Sequence, residues 1–200
     1  MSLRLLHRGL AAGMLGLCVS VAGAAEDARC LRPGTQEDLP QALAQGFVRI
    51  STRNYEATNP GYGCSAGYRH ASGMTATVYV YQAQLGAIDD LPRDPRLLEQ
   101  FKEAVAGIRY GWEQQHQAKV DDMQARYENR GKGDVEAMVA TAVIDTPKDG
   151  QLHTYLQLWS GSGHIWKLRA TYPAADKAVS DAAVLGLSHA LVDLSREQQP

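Results

Sequence analysis

The sequence has no paired histidines at metal-ligating spacing, no glycine-rich phosphate loop and no complete set of catalytic residues. The first absence gives no reason to expect a structural zinc or a histidine-held metal, and the second excludes the P-loop route to nucleotides. His70, His116, His153, His164 and His189 are scattered, with no two of them four residues apart. After residue 24 there is no basic run longer than two residues, so nucleic acid and anionic membrane surfaces are not expected partners. Internal repeats and low-complexity segments are also missing. No cofactor is implied by any motif.

Cysteine is scarce, and its placement carries information. The N-terminus has a basic region at Arg4 and Arg8, an apolar run over 10–21 and the A-x-A site Ala22-Gly23-Ala24. This is the pattern of a signal peptide spanning 1–24, with an apolar run too short and too glycine-rich for a good spanning helix. Cys18 is preceded by Leu17, not by the small residue a lipoprotein signal needs. Cleavage after Ala24 leaves a chain with 18 basic and 22 acidic residues, which is expected to form one domain over 25–200 and to work in the periplasm or outside the cell. No further span is expected after cleavage. Cys30 and Cys64 then remain, and two cysteines in an exported chain most simply form one disulfide. Closing a loop of about 35 residues stabilises a fold by about 3–4 kcal/mol on the chain-entropy account.

Strand patterns dominate the second half. Residues 152–159 alternate Leu with His, Tyr, Gln and Trp, and 164–172 alternate as well, so both read as strands. Together with 136–145 they predict a three-stranded antiparallel meander, turning at Pro147-Lys148-Asp149-Gly150 and at Ser160-Gly161-Ser162-Gly163. The face pattern selects a three-residue loop at 161–163, because a two-residue loop would set Leu156 beside Lys167 and mix the faces. The three-residue loop pairs Leu158 with Trp166, Leu156 with Leu168 and Leu152 with Tyr172.

Upstream, 64–70 and 74–82 read as a hairpin around Ser72-Gly73, with Tyr79 and Tyr81 on the face opposite Val78 and Val80. The loop over 54–63 carries two more tyrosines. Asp94-Pro95 opens a helix whose stripe is Leu97, Phe101, Val105, Ile108 and Trp112, ending between 115 and 119. Residues 120–127 fit a helix or a strand. A second helix follows Pro173 to about Leu194. The expected fold is α+β: a single antiparallel sheet, made of the N-terminal hairpin and the C-terminal meander, packed with two main helices.

The run Ala76-Thr77-Val78-Tyr79-Val80-Tyr81, then a helix, then His164-Ile165-Trp166-Lys167-Leu168-Arg169-Ala170-Thr171-Tyr172-Pro173 resembles exported bacterial proteins. Their layout is similar to the PsbP/Mog1-type α/β/α sandwich. The likeness covers the order of elements over 64–194 and transfers no catalytic residue. It implies an accessory or binding module more than an enzyme.

In the three-residue register the second face of the meander sets His153 across from Thr171, Tyr155 from Arg169, Gln157 from Lys167 and Trp159 from Ile165. His153, Tyr155, Gln157, Trp159, Lys167 and Arg169 are therefore the candidate binding residues, a strip of rings and cations for an envelope protein or a small ligand. A solvated sheet face also looks polar without binding anything, and burial of the strip under the 95–117 helix would leave no site. Two alternatives stand beside the binding module. One is a cofactor-free hydrolase, with His153 or His164 as base and Ser160 or Ser162 as nucleophile. The other is a structural envelope protein without a discrete site. Asp89-Asp90 and Asp121-Asp122 read as solvated loop charge.

Overall fold

The computed structural model describes residues 29–197, except 57, 89–93, 122, 133 and 134. The segment 1–24 expected to be a signal peptide, with Cys18, as well as the Asp89-Asp90 pair and Asp122, lies outside the described residues.

The sheet is antiparallel throughout and larger than the sequence suggests. Among the described residues nine strands are present: β1 Ala42–Leu43, β2 Phe47–Asn54, β3 Cys64–Arg69, β4 Thr75–Tyr81, β5 Lys119–Val120, β6 Gln124–Arg130, β7 Val135–Thr146, β8 Gly150–Gly161 and β9 His164–Pro173. Their spatial order is β1-β2-β3-β4-β9-β8-β7-β5, with β6 also on β7. The ambiguous 120–127 segment belongs to strands on β7, because that edge would otherwise leave its backbone groups without partners. The decisive join is β4 to β9, which sets the upstream hairpin against the last strand of the meander and pairs Tyr79 with Lys167.

Two helices cover opposite faces. α1, Pro95–Tyr110, starts where Asp94 accepts from the Arg96 N–H, continues through one π turn at Gly111–Gln115, and buries Leu97, Phe101 and Ile108. These pack on Met138, Ala140, Leu156, Leu158 and Ile165. α2, Lys177–Arg196, lies on the other face, where Val184, Leu187 and Leu191 meet Val78, Trp159, Trp166 and Leu168. By length and composition α2 could cross a bilayer, yet its buried side is the one that meets the sheet. Near its end it comes close to Gly161, where a Cβ would stand 2.7 Å from Ser195 Oγ. The Cys30–Cys64 disulfide ties the segment before β1 to the start of β3.

The β8–β9 register differs from the expected one by a residue. Gly161 pairs with His164, Trp159 with Trp166, Leu158 with Lys167, Leu156 with Arg169 and Tyr155 with Ala170. The loop is therefore the two residues Ser162-Gly163, both at positive φ, 51° and 74°. That is the type I′ geometry whose twist suits a tight hairpin. Two physical reasons explain the difference. Both faces of β8 are covered by a helix, so neither face has to collect all the apolar residues. Ser162 also accepts a left-handed conformation that serine usually avoids, held there as its Oγ donates to the Ser195 carbonyl at 2.8 Å.

Candidate functional site

The shift in register separates the six residues chosen from the sequence. His153, Tyr155, Gln157 and Trp159 all face α2, whereas Lys167 and Arg169 face the α1 side. A continuous strip of all six does not exist. It is α2, not the 95–117 helix, that covers the four residues of β8.

Under α2 the polar atoms are mostly spent on one another. Trp159 is 0 % exposed and stacks on Trp166, centroids 5.9 Å apart. Its indole N–H donates to Ser195 Oγ at 2.9 Å, and that of Trp166 donates to the Gly161 carbonyl at 3.1 Å. Gln157 Oε1 accepts from the Tyr155 hydroxyl at 2.6 Å and from Ser188 Oγ. Burial pushes the Tyr155 hydroxyl pKa up, against the pull of nearby Arg130. Closer to solvent, His153 stacks on Tyr172, whose hydroxyl donates to Asp181. Burial, with Lys177 nearby, lowers the His153 pKa, and Asp181 opposes the shift. The groove beside these residues holds Arg126 and Arg130, both already paired with Glu128. Tyr155, Gln157 and Trp159 are sealed beneath the helix, while His153 borders this groove of about 650 Å³, whose arginines are already paired.

The nucleophile–base pairs considered for a hydrolase are not brought together. Ser162 Oγ is engaged with the Ser195 carbonyl, and His164 Nδ1 contacts the Ser162 carbonyl at 2.9 Å. Among the described residues a serine hydroxyl meets a histidine ring at His70 and Ser72, 2.9 Å apart, inside the exposed β3–β4 turn. No group of His, Cys, Asp or Glu among the described residues could hold a metal ion.

The opposite face is built differently. α1 covers β7 and β8 but leaves β4 and the outer side of β9 half open. There a cleft of about 700 Å³ lies between the sheet and the helix. Alternation on β4 sends Ala76, Val78 and Val80 into the α2-side core and leaves Tyr79 and Tyr81 as the cleft floor. The same alternation on β9 places Lys167 and Arg169 beside them, with Lys167 directly opposite Tyr79. The wall comes from α1 at 100, 103, 104, 107 and 108, a helical spacing of three and four that keeps Gln100, Glu103 and Ile108 on one side. Tyr55 and Tyr62 close the outer rim, and Tyr62 is 58 % exposed.

Lys167 Nζ lies 4.2 Å from the Tyr79 ring centroid and 5.3 Å from that of Tyr81. Among the described residues no carboxylate pairs with it or with Arg169. Burial lowers the Lys167 pKa to about 8, and the neighbouring Arg169 charge adds to the fall. The tyrosine hydroxyls move the other way: burial raises both Tyr79 and Tyr81. Ring faces stabilise the ammonium partly, through the ring quadrupole, and do not neutralise it. The arrangement can therefore take an anion beside two cations in a partly dehydrated, aromatic setting.

Of the sequence-chosen residues, Lys167 and Arg169 thus line the α1-side cleft, where Lys167 meets the rings of Tyr79 and Tyr81, and Arg169 does not lie across from Tyr155. The tyrosine face of β4 is legible in the sequence, but the pairing of β4 with β9 has no local signal. The usable signal was that both strands carry their polar residues on alternate positions, Tyr79 and Tyr81 on one and Lys167 and Arg169 on the other.

No family model and no curated protein matches the chain. Among solved structures it is similar to cyanobacterial PsbP (CyanoP) from Synechocystis, at 11% identity and a TM-score of 0.39, over 76% of this chain and 98% of that one. This is a weak structural resemblance and says nothing of what the chain binds.

Proposed function

We propose that the protein is an exported binding module that holds an anionic organic ligand in the cleft between α1 and the β4–β9 face. The observation that carries this reading is the Lys167 ammonium, set against two tyrosine rings beside Arg169, with neither cation paired to a carboxylate among the described residues. Holding a dehydrated cation without a counter-ion costs stability, and a bound carboxylate removes that cost. Export is supported by the leader pattern over 1–24 and by the Cys30–Cys64 disulfide, which persists in an oxidising compartment.

The test is isothermal titration of galacturonate, succinate and benzoate into the wild type and into Lys167→Gln/Arg169→Gln. The wild type is expected to bind at least one of them with Kd below about 1 mM, and the double variant none, at an unchanged circular dichroism spectrum. Equal binding by both proteins, or none by the wild type, would overturn the proposal.

A further inference from the structure

The cleft does not end at Arg169. A second cavity of about 640 Å³ shares Tyr79 and Arg169 with the first. It continues along the same two strands, past Thr77 and Thr75 on β4 and Thr171 on β9. From Tyr81 to Thr75 the floor follows one strand, a length of ~20 Å at about 3.3 Å per residue. Its far wall includes Trp112, from the π turn after α1. The Trp112 indole N–H is buried and has no acceptor among the described residues. The two cavities together make an elongated groove: tyrosines, two cations and Glu103 at one end, threonine hydroxyls, an indole and Asp149 at the other.

An elongated groove fits an elongated ligand, and its floor indicates which kind. An extended peptide bound to a sheet takes much of its affinity from pairing with an open strand edge. Here the floor strands are interior: β4 is paired with β3 and β9, and β9 with β4 and β8. Their ladders already use the backbone groups, so a ligand lying on them meets only side chains. Those side chains are ring faces, hydroxyls that both donate and accept, and cations. A sugar chain offers the complement of each: apolar ring faces, hydroxyls, and carboxylates where its units are uronic acids.

Resting on the anion-binding reading above, we propose that the ligand is a linear acidic oligosaccharide of the uronate class. One carboxylate is held by Lys167 and Arg169 against Tyr79, and the following units run past Thr77 and Thr171 toward Trp112. The threonines are half-exposed, so Thr77→Val and Thr171→Val remove hydroxyls while keeping shape and strand preference.

The experiment is calorimetric titration of the full exported chain with galacturonate, tetragalacturonate, maltotetraose and tetraglutamate, for the wild type, Thr77→Val/Thr171→Val and Lys167→Gln. Tetragalacturonate is expected to bind at least about tenfold more tightly than the monomer and than maltotetraose. The threonine variant should lose most of that gain and leave the monomer unchanged. A tetramer no tighter than the monomer, with monomer binding still lost in Lys167→Gln, would overturn the extended glycan site and leave the anion cleft standing. Tetraglutamate binding as tightly as tetragalacturonate would overturn the sugar assignment in favour of an acidic peptide. Failure of the wild type to bind either acid would overturn both this inference and the reading beneath it.

Discussion

The two faces of this sheet are made by the same alternation but are filled differently. On the α2 side the large side chains, Trp159, Trp166 and Tyr68, are fully buried, and most polar atoms are answered within the protein. On the α1 side the helix stops short, and cations, hydroxyls and rings are left facing a cleft. Aromatic side chains alone therefore do not mark a site. What distinguishes the open face is charge left unanswered beside them.

The comparison predicts opposite responses to mutation. Trp159→Ala, in the core under α2, should have the largest effect, a loss of about 3–5 kcal/mol in urea unfolding, since it leaves a cavity and takes the donor from Ser195. A loss under about 1 kcal/mol would show that this face is not the main core. Replacing both Cys30 and Cys64 by Ala should cost about 3–4 kcal/mol, read by the same assay. On the open face the pattern reverses. Lys167→Met should keep stability within about 1 kcal/mol or raise it, because it removes a dehydrated charge while keeping the packing stem. The same change should weaken galacturonate binding by about tenfold or more in calorimetry. A Lys167→Met protein that is markedly less stable would make this lysine structural.

The pH dependence sharpens the contrast further. Lys167 has a folded pKa lowered to about 8, so the unfolded chain binds more protons above that value. Its destabilising contribution is present in full below pH 8 and is relieved as pH rises toward the unfolded value. Anion binding has the opposite trend, because it needs the protonated form. Affinity should fall about fourfold between pH 7 and 8.5, following the protonated fraction, and Lys167→Arg should flatten that fall. Least in size, Gly107→Ala on the cleft wall should stabilise α1 by about 0.5–1 kcal/mol. A Cβ there meets nothing within 4 Å, and thermal melting would detect the gain.

Much of the fold was legible in the sequence because each element carried its own local signal. Asp94-Pro95 announces α1 by capping, Ser72-Gly73 a turn, and the alternation in 152–159 a strand. The Cys30–Cys64 disulfide follows from cysteine scarcity together with the signal-peptide pattern expected over 1–24. Other features have no local signature. That β4 lies against β9 is decided by long-range packing, and it chooses the rings that Lys167 meets. The β8–β9 register is not legible in the alternation, which fixes a strand's phase only when one face is wet. With α1 and α2 on opposite sides, Leu156 and Trp159 are both buried, and the deciding fact became a left-handed serine at 162.

The pairing of Val78 with Leu168 joins residues far apart along the chain. Non-local ladders of this kind form late, because the entropy of closing a long loop must be met before the contacts can repay it. The Tyr79–Lys167 neighbourhood is therefore absent from any partly folded chain that holds only its hairpins and helices. A ligand that bound there would then report that folding has finished, and a newly made polypeptide would present no such cleft until its two halves had zipped together.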